Sequence, residues 1–365
     1  MGTRCGWESL PDELVCLVLS AVPVDYVAIA ARTCRRWFAC CPAERRRKLS
    51  LRGACSSVAL LRWALANGHR LDETTCAVAA ALGNLPVLRW VRGQGCPWDS
   101  RTCTAAAESG DLRVLQWAQR NGCPVLDGQV VNTAAQRGNL DVLRWCYEEG
   151  GARAALPFRE AARNGHLAVV RWLAERFEKG SEESWLRDSW SGVIVCSEAA
   201  SSGHLELLKW ALEQEGGSWH RDVFPVEWLA VPAIDGGHLE VLKWLVEEQL
   251  CSMDKRACTT AAQRGQLEVL KWLREGRGWP WDQGTCAAAA QAGHLEVLQW
   301  ARENGCPWNE QTTELAAAEG HVEVVEWARE RGCPCSESTW KRVQEIRKEE
   351  ERQGRRKTKD KATKE

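Results

Sequence analysis

The chain is predicted to be all-α: a small N-terminal three-helix module, then an α-solenoid of about ten helix-turn-helix repeats with a 27–28 residue period. Three observations carry this. Tryptophan supplies 21 of the 27 aromatic residues in a chain of 365, which no ordinary core requires. Ten of these, Trp63, Trp90, Trp117, Trp145, Trp172, Trp210, Trp244, Trp272, Trp300 and Trp327, stand 27, 27, 28, 27, 38, 34, 28, 28 and 27 residues apart. All but the first follow a glycine by seven positions, from Gly83 to Gly320. Position and residue type recurring together are the signature of a repeat array.

Residues 7 to 48 precede the repeats and obey a different rule. Pro11 suits the first turn of a helix, and Asp12 and Glu13 sit favourably at its positive end. Leu14, Leu17 and Val18 form an apolar stripe, Pro23 ends that helix, and a second is expected from about Val24 to Cys34. About forty residues in three short helices bury too little surface to be comfortably stable alone. The segment resembles the F-box: Leu10-Pro11-Asp12-Glu13 matches its opening, and Cys34-Arg35-Arg36-Trp37 its closing motif. Val18, Leu19 and Val22 stand at its middle aliphatic positions. The resemblance implies that Leu10, Pro11, Leu14, Val18 and Trp37 dock on the adaptor subunit of a cullin-type ubiquitin ligase. The alternative is a bundle that only caps the first repeat.

Within the repeats, "TCAAAAQAG" predicts an alanine-rich first helix, closed by a glycine able to adopt the left-handed conformation. "HLEVLQWARENG" predicts an amphipathic second helix, with Leu295, Leu298 and Ala301 on one stripe widened by Val297 and Trp300. Asp72, Asp99, Asp127, Asp254, Asp282 and Asn309, eleven residues before the glycine, are expected N-caps. The apolar residues just before them (Leu71, Trp98, Leu126, Met253, Trp281 and Trp308) are expected to staple onto positions such as Cys76, Cys103 and Cys286. The recurring cysteines thereby read as packing groups.

From about residue 52 to 338 the array resembles ankyrin repeats, on segments such as "AAAAQAGHLEVLQW", "AAAEGHVEVVEW" and "EAASSGHLELLKW". It departs from that family in its helix opening, "RTCT" or "GTCA", and in a period too short for the projecting finger. The resemblance implies a protein-binding scaffold. Two insertions, near 176–196 and 213–232, carry Trp185, Trp190, Trp219 and Trp228 outside the register. These four are candidates for contacting a target protein. Drift at a tolerant loop and a hinge are the other readings. Residues 341–365 carry eleven Lys or Arg against six Asp or Glu and are expected to be a basic tail, disordered after a possible final helix.

The remaining signals exclude more than they assign. The histidines after the repeat glycines occur once per unit, too far apart for a shared metal, and are expected to hydrogen-bond at the turns. No nucleophile–base–oxyanion set and no phosphate loop can be assembled, so neither catalysis nor a cofactor is expected. A net charge of -1 speaks against nucleic acid as a partner. No apolar run is long enough for a membrane span. Eighteen cysteines without an export signal point to an intracellular, reducing compartment, cytoplasmic or nuclear.

Overall fold

A computed structural model describes residues 50–66, 69–125, 127–149, 157–178, 190–213, 226–248, 255–276 and 278–362. The described residues are all-helical and form helical repeats, in two compact units that divide after Glu160. The N-terminal module, with Leu10, Pro11, Leu14, Val18 and Trp37, lies outside the described residues.

The first unit holds α1 (Leu51–Ala54) and α2 (Val58–Ala66), α3 (Glu73–Ala81) and α4 (Leu85–Gly93), α5 (Ser100–Ser109) and α6 (Leu112–Arg120), and α7 (Asp127–Arg137) and α8 (Leu140–Glu148). Helix α9 (Phe158–Arg163) spans the division, and α10 (Leu167–Glu178) follows it. The second unit continues with α11 (Trp190–Ser202) and α12 (Leu205–Glu213), α13 (Ala230–Gly236) and α14 (Leu239–Glu247), and α15 (Lys255–Gln263) and α16 (Leu267–Lys271). It closes with α17 (Gln283–Gln291) and α18 (Leu295–Glu303), α19 (Glu310–Ala318) and α20 (Val322–Glu330), and α21 (Glu337–Ala362).

Each pair packs by one rule. Successive first helices lie side by side, α3 on α5 and α5 on α7 in the first unit, α15 on α17 and α17 on α19 in the second. Their contacts are alanines, such as Ala106, Ala107, Ala289 and Ala290, which are fully buried and let the backbones approach closely. Each second helix covers that row with a buried pair, Leu88 beside Val87, Leu115 beside Val114, Leu298 beside Val297. A helix of about ten residues cannot bury its own stripe, so each repeat depends on its neighbours.

The helix ends follow the sequence in part. Asp72 caps α3 in a capping box with Thr75, and Asp99 and Asp282 accept from the second helical residue at 3.0 and 2.9 Å. Asn309 stands at its cap position but makes no side-chain cap bond, Asp127 falls inside α7, and Asp254 lies outside the described residues. After α16 the chain makes a π turn, Trp272–Gly276, which takes up the longer loop "GRGWPW".

At the C-terminal end, helix α21 runs from Glu337 to Ala362. Its first turns are anchored: Thr339 and Val343 are buried, Arg342 donates to the Ala318 carbonyl at 3.3 Å, and Arg347 pairs with Glu326. Glu, Lys, Arg and Gln are good helix formers, so an anchored start propagates through a polar sequence.

Candidate interaction surface

A short 3-10 turn, Val226–Leu229, leads into α13. Leu229, Ala230, Ala233 and Ile234 are buried, which fixes the rotation of this segment. Trp228 and Val231, three residues apart, therefore point outward, 67% and 50% exposed. They are the large hydrophobic residues left in the open among the described residues. An indole turned into water has no packing role at its own repeat. Nine residues before the turn glycine, other repeats place Thr74, Arg101, Ile194, Arg256 or Gln311. Tryptophan is specific to this repeat.

Of the four tryptophans singled out from sequence, the structure places Trp228 on this surface. Trp190 opens α11, but its side chain lies outside the described residues, as do Trp185 and Trp219 altogether. Val231 was missed, since one valine in an apolar run carries no separate signal. Ion pairs tie successive first helices together at the far end of the same row: Arg163 to Glu198 and Arg264 to Asp235, both at 3.0 Å.

The in-register tryptophans are half-buried for the most part and belong to a second arrangement. Three of the tryptophans that precede the caps meet the repeat indoles edge-on: Trp98 on Trp117, Trp281 on Trp300 and Trp308 on Trp327, with centroids 5.8, 5.8 and 5.9 Å apart. A guanidinium lies over each: Arg92 over Trp98 at 4.0 Å, Arg274 over Trp281 at 4.7 Å, Arg302 over Trp308 at 4.5 Å. Each of these arginines also donates to a loop carbonyl, at Cys96, Trp279 and Cys306 respectively. The sequence signal was an arginine two residues after the repeat tryptophan, and it was overlooked.

Among the described residues every cysteine but Cys335 is buried and packs within the repeats. Cys96, Cys123, Cys306 and Cys333 donate to the backbone carbonyls of Asp72, Asp99, Asp282 and Asn309, 3.0 to 3.4 Å away. Burial pushes the thiols of Cys55 and Cys196 up to about 12 and those of Cys258 and Cys333 up to about 11. The neighbouring Cys123 thiol, with burial, likewise raises Cys103. Thiols held protonated are poor nucleophiles and poor metal ligands.

Two of the turn histidines bond between repeats. His204 Nε2 donates to the Arg163 carbonyl at 2.9 Å, and His238 Nε2 to the Ser201 carbonyl at 3.0 Å. Among the described residues no group of three His, Cys, Asp or Glu side chains could hold a metal ion, and no helix is long and apolar enough to cross a membrane.

The family described as "Ankyrin repeats (many copies)" matches residues 286–337. No curated protein matches the chain. Among solved structures, the chain is similar to the pentatricopeptide repeat protein PPR10 in complex with an 18-nt psaJ RNA element, at 15% identity and a TM-score of 0.36. A cysteine-to-serine variant of PPR10 with the same RNA element gives the same figures. The alignment covers 89% of this chain and 54% of that one, so the chain spans about half the length of PPR10.

Proposed function

We propose that this protein is a non-catalytic substrate-recognition subunit of a cullin-type ubiquitin ligase. Residues 7–48 dock the ligase adaptor through Leu10, Pro11, Leu14, Val18 and Trp37, and the repeats hold a target protein for modification. The observation that carries target binding is the exposed pair Trp228 and Val231 on a rigid row of first helices. Tryptophan is the residue most often found at the energetic centre of protein interfaces. The F-box resemblance of the N-terminal segment supports the adaptor half. A second reading, a protein-interaction scaffold whose N-terminal bundle serves only as a cap, rests on the repeat match alone.

Co-purification separates them. Full-length protein is expected to capture adaptor, and a Leu14→Asp, Trp37→Ala variant to lose it. Folded protein that captures none rules out the ligase reading and leaves the scaffold. Among proteins retained by the wild type, those bound at the proposed site are expected to be lost on Trp228→Ala while adaptor capture persists.

A further inference from the structure

The exposed face of the second helices changes sign along the chain. Helices α2, α4, α6 and α8 carry Arg62, Arg89, Arg92, Arg113, Arg120 and Arg144 against only Asp141 and Glu148. In α12, α14 and α16, by contrast, Lys209, Lys243 and Lys271 each pair with a glutamate three residues earlier, at 3.4, 2.8 and 2.8 Å. Arg92 and Arg113 are engaged, one by the Cys96 carbonyl and the other by Asp111. Arg62, Arg89, Arg120 and Arg144 are exposed and have no carboxylate partner among the described residues.

Two of these cations are held by a ring. The Arg62 guanidinium lies over the Trp90 ring at 5.3 Å and Arg89 over Trp117 at 5.9 Å, each reaching from one repeat to the next. A guanidinium over an indole satisfies no N–H group there and keeps its donors for two parallel bonds to a carboxylate. Its side-chain entropy is already partly spent. We infer that this face, from Arg62 to Arg144, is a docking surface for an extended, acidic segment of a partner protein.

Charge complementarity calls for an anion, and geometry chooses its kind. Arg62, Arg89 and Arg144 hold one repeat position, immediately before the tryptophan, with Gln116 between them. Packed helices are about 8–10 Å apart. An acidic segment in the extended polyproline II conformation turns its side chains to the same side every three residues, about 9.3 Å along its axis, so acidic side chains three residues apart meet arginines one repeat apart. A single-stranded nucleic acid would instead need open aromatic faces for its bases. On Trp90 and Trp117 a guanidinium already occupies one face. The surface is separate from Trp228 and stands whether or not that residue binds a target.

The probe is a synthetic 18-residue peptide with glutamate at every third position, titrated into the full-length chain. Arg62→Gln, Arg89→Gln, Arg144→Gln combined are expected to weaken binding at least tenfold. Lys209→Gln, Lys243→Gln, Lys271→Gln combined are expected to change it less than twofold. Replacing the three arginines by lysine keeps the charge, loses the paired bonds, and is expected to fall between. A folded wild type that does not bind, or equal losses in the two Gln triples, overturns the inference. So does tighter binding of an 18-nucleotide oligouridine through the same arginines. Self-association abolished by the arginine triple would assign the face to a second copy and overturn it too.

Discussion

In the first unit the residue after the turn glycine is Asn84, Asp111 or Asn139; in the second it is His166, His204, His238, Gln266, His294 or His321. Asn84 does two things at once. Its Oδ1 accepts from the Val87 amide at 3.3 Å, and its Nδ2 donates back to the Cys55 and Ser56 carbonyls at 3.1 and 2.8 Å. Asp111, which has no donor, only caps its helix, accepting from Arg113 and Val114. Asn139 and His238 make no cap bond and only bridge to the preceding repeat, at Ala107 and Ser201. One position thus serves the helix start, the repeat interface or both, and an aspartate, which has no donor, cannot reach the carbonyls of the preceding repeat. The imidazole reaches the same kind of carbonyl as the amide but fills more space, and the glycine facing it inherits that constraint.

The largest expected difference is therefore at the glycines. Gly83 and Gly203 both have positive φ, 63° and 79°, where a side chain costs about 1–2 kcal/mol. A methyl on Gly83 would meet Asp111 at 3.4 Å, an ordinary contact. On Gly203 it would lie 2.8 Å from His238 Cε1 and 2.9 Å from Cγ, so the ring must move and its bond to Ser201 is lost. Gly203→Ala is expected to cost about 3 kcal/mol or more, and Gly83→Ala about 1–2 kcal/mol. Denaturant unfolding of both variants measures this, and equal losses would mean that the ring constrains nothing.

Exchanging the side chains sharpens the same contrast. His238→Ala leaves the Ser201 carbonyl without its donor and is expected to cost about 1–2 kcal/mol. His238→Asn, which imports the Asn139 solution, should cost less. Asp111→Ala removes a cap and is expected to cost about 1 kcal/mol, with a pH signature. The Arg113 side chain bonded to Asp111, together with the backbone amides it caps, holds its carboxyl below the ordinary 3.8. A depressed carboxylate stabilises the fold above its unfolded value, and that contribution fades as pH falls through 3.8 and below. The gap between wild type and Asp111→Ala is thus expected to be full at pH 6 and to narrow below pH 4. A gap independent of pH would show that the cap acts without its charge.

The repeat period, the two helices and the small residues between them were all legible in the sequence, because packing enforces them at every unit. Cap positions were legible as residue types but not as bonds: Asp72, Asp99 and Asn309 share a register and make three different sets of contacts. The indole partner of Trp98, Trp117, was not legible, because it stands on the second helix of the repeat and a cap pattern considers only the first. The exposure of Trp228 could only be suspected from its broken register, since facing water depends on the rotation set by Leu229 and Ala233. The final helix was legible only as a possibility, because what starts α21 is an anchor on the last repeat, supplied by Val343, Arg342 and Arg347.

The smallest expected effect tests what the units share rather than what separates them. Three residues after the cap aspartate, Thr75 completes a box: its hydroxyl donates to Asp72 Oδ1 at 3.1 Å and accepts from the Asp72 amide at 3.3 Å. Thr102 in the first unit and Thr285 in the second hold the same position, equally buried, but their hydroxyls have no partner. Valine has nearly the same shape without the hydroxyl. Thr102→Val and Thr285→Val are each expected to stabilise by about 0.5–1 kcal/mol, and Thr75→Val to destabilise by about 1 kcal/mol. The sign should follow the hydrogen bond and not the unit. If Thr102→Val and Thr285→Val moved stability in opposite directions, the two stacks would differ in their packing as well as in the side chains that join their repeats.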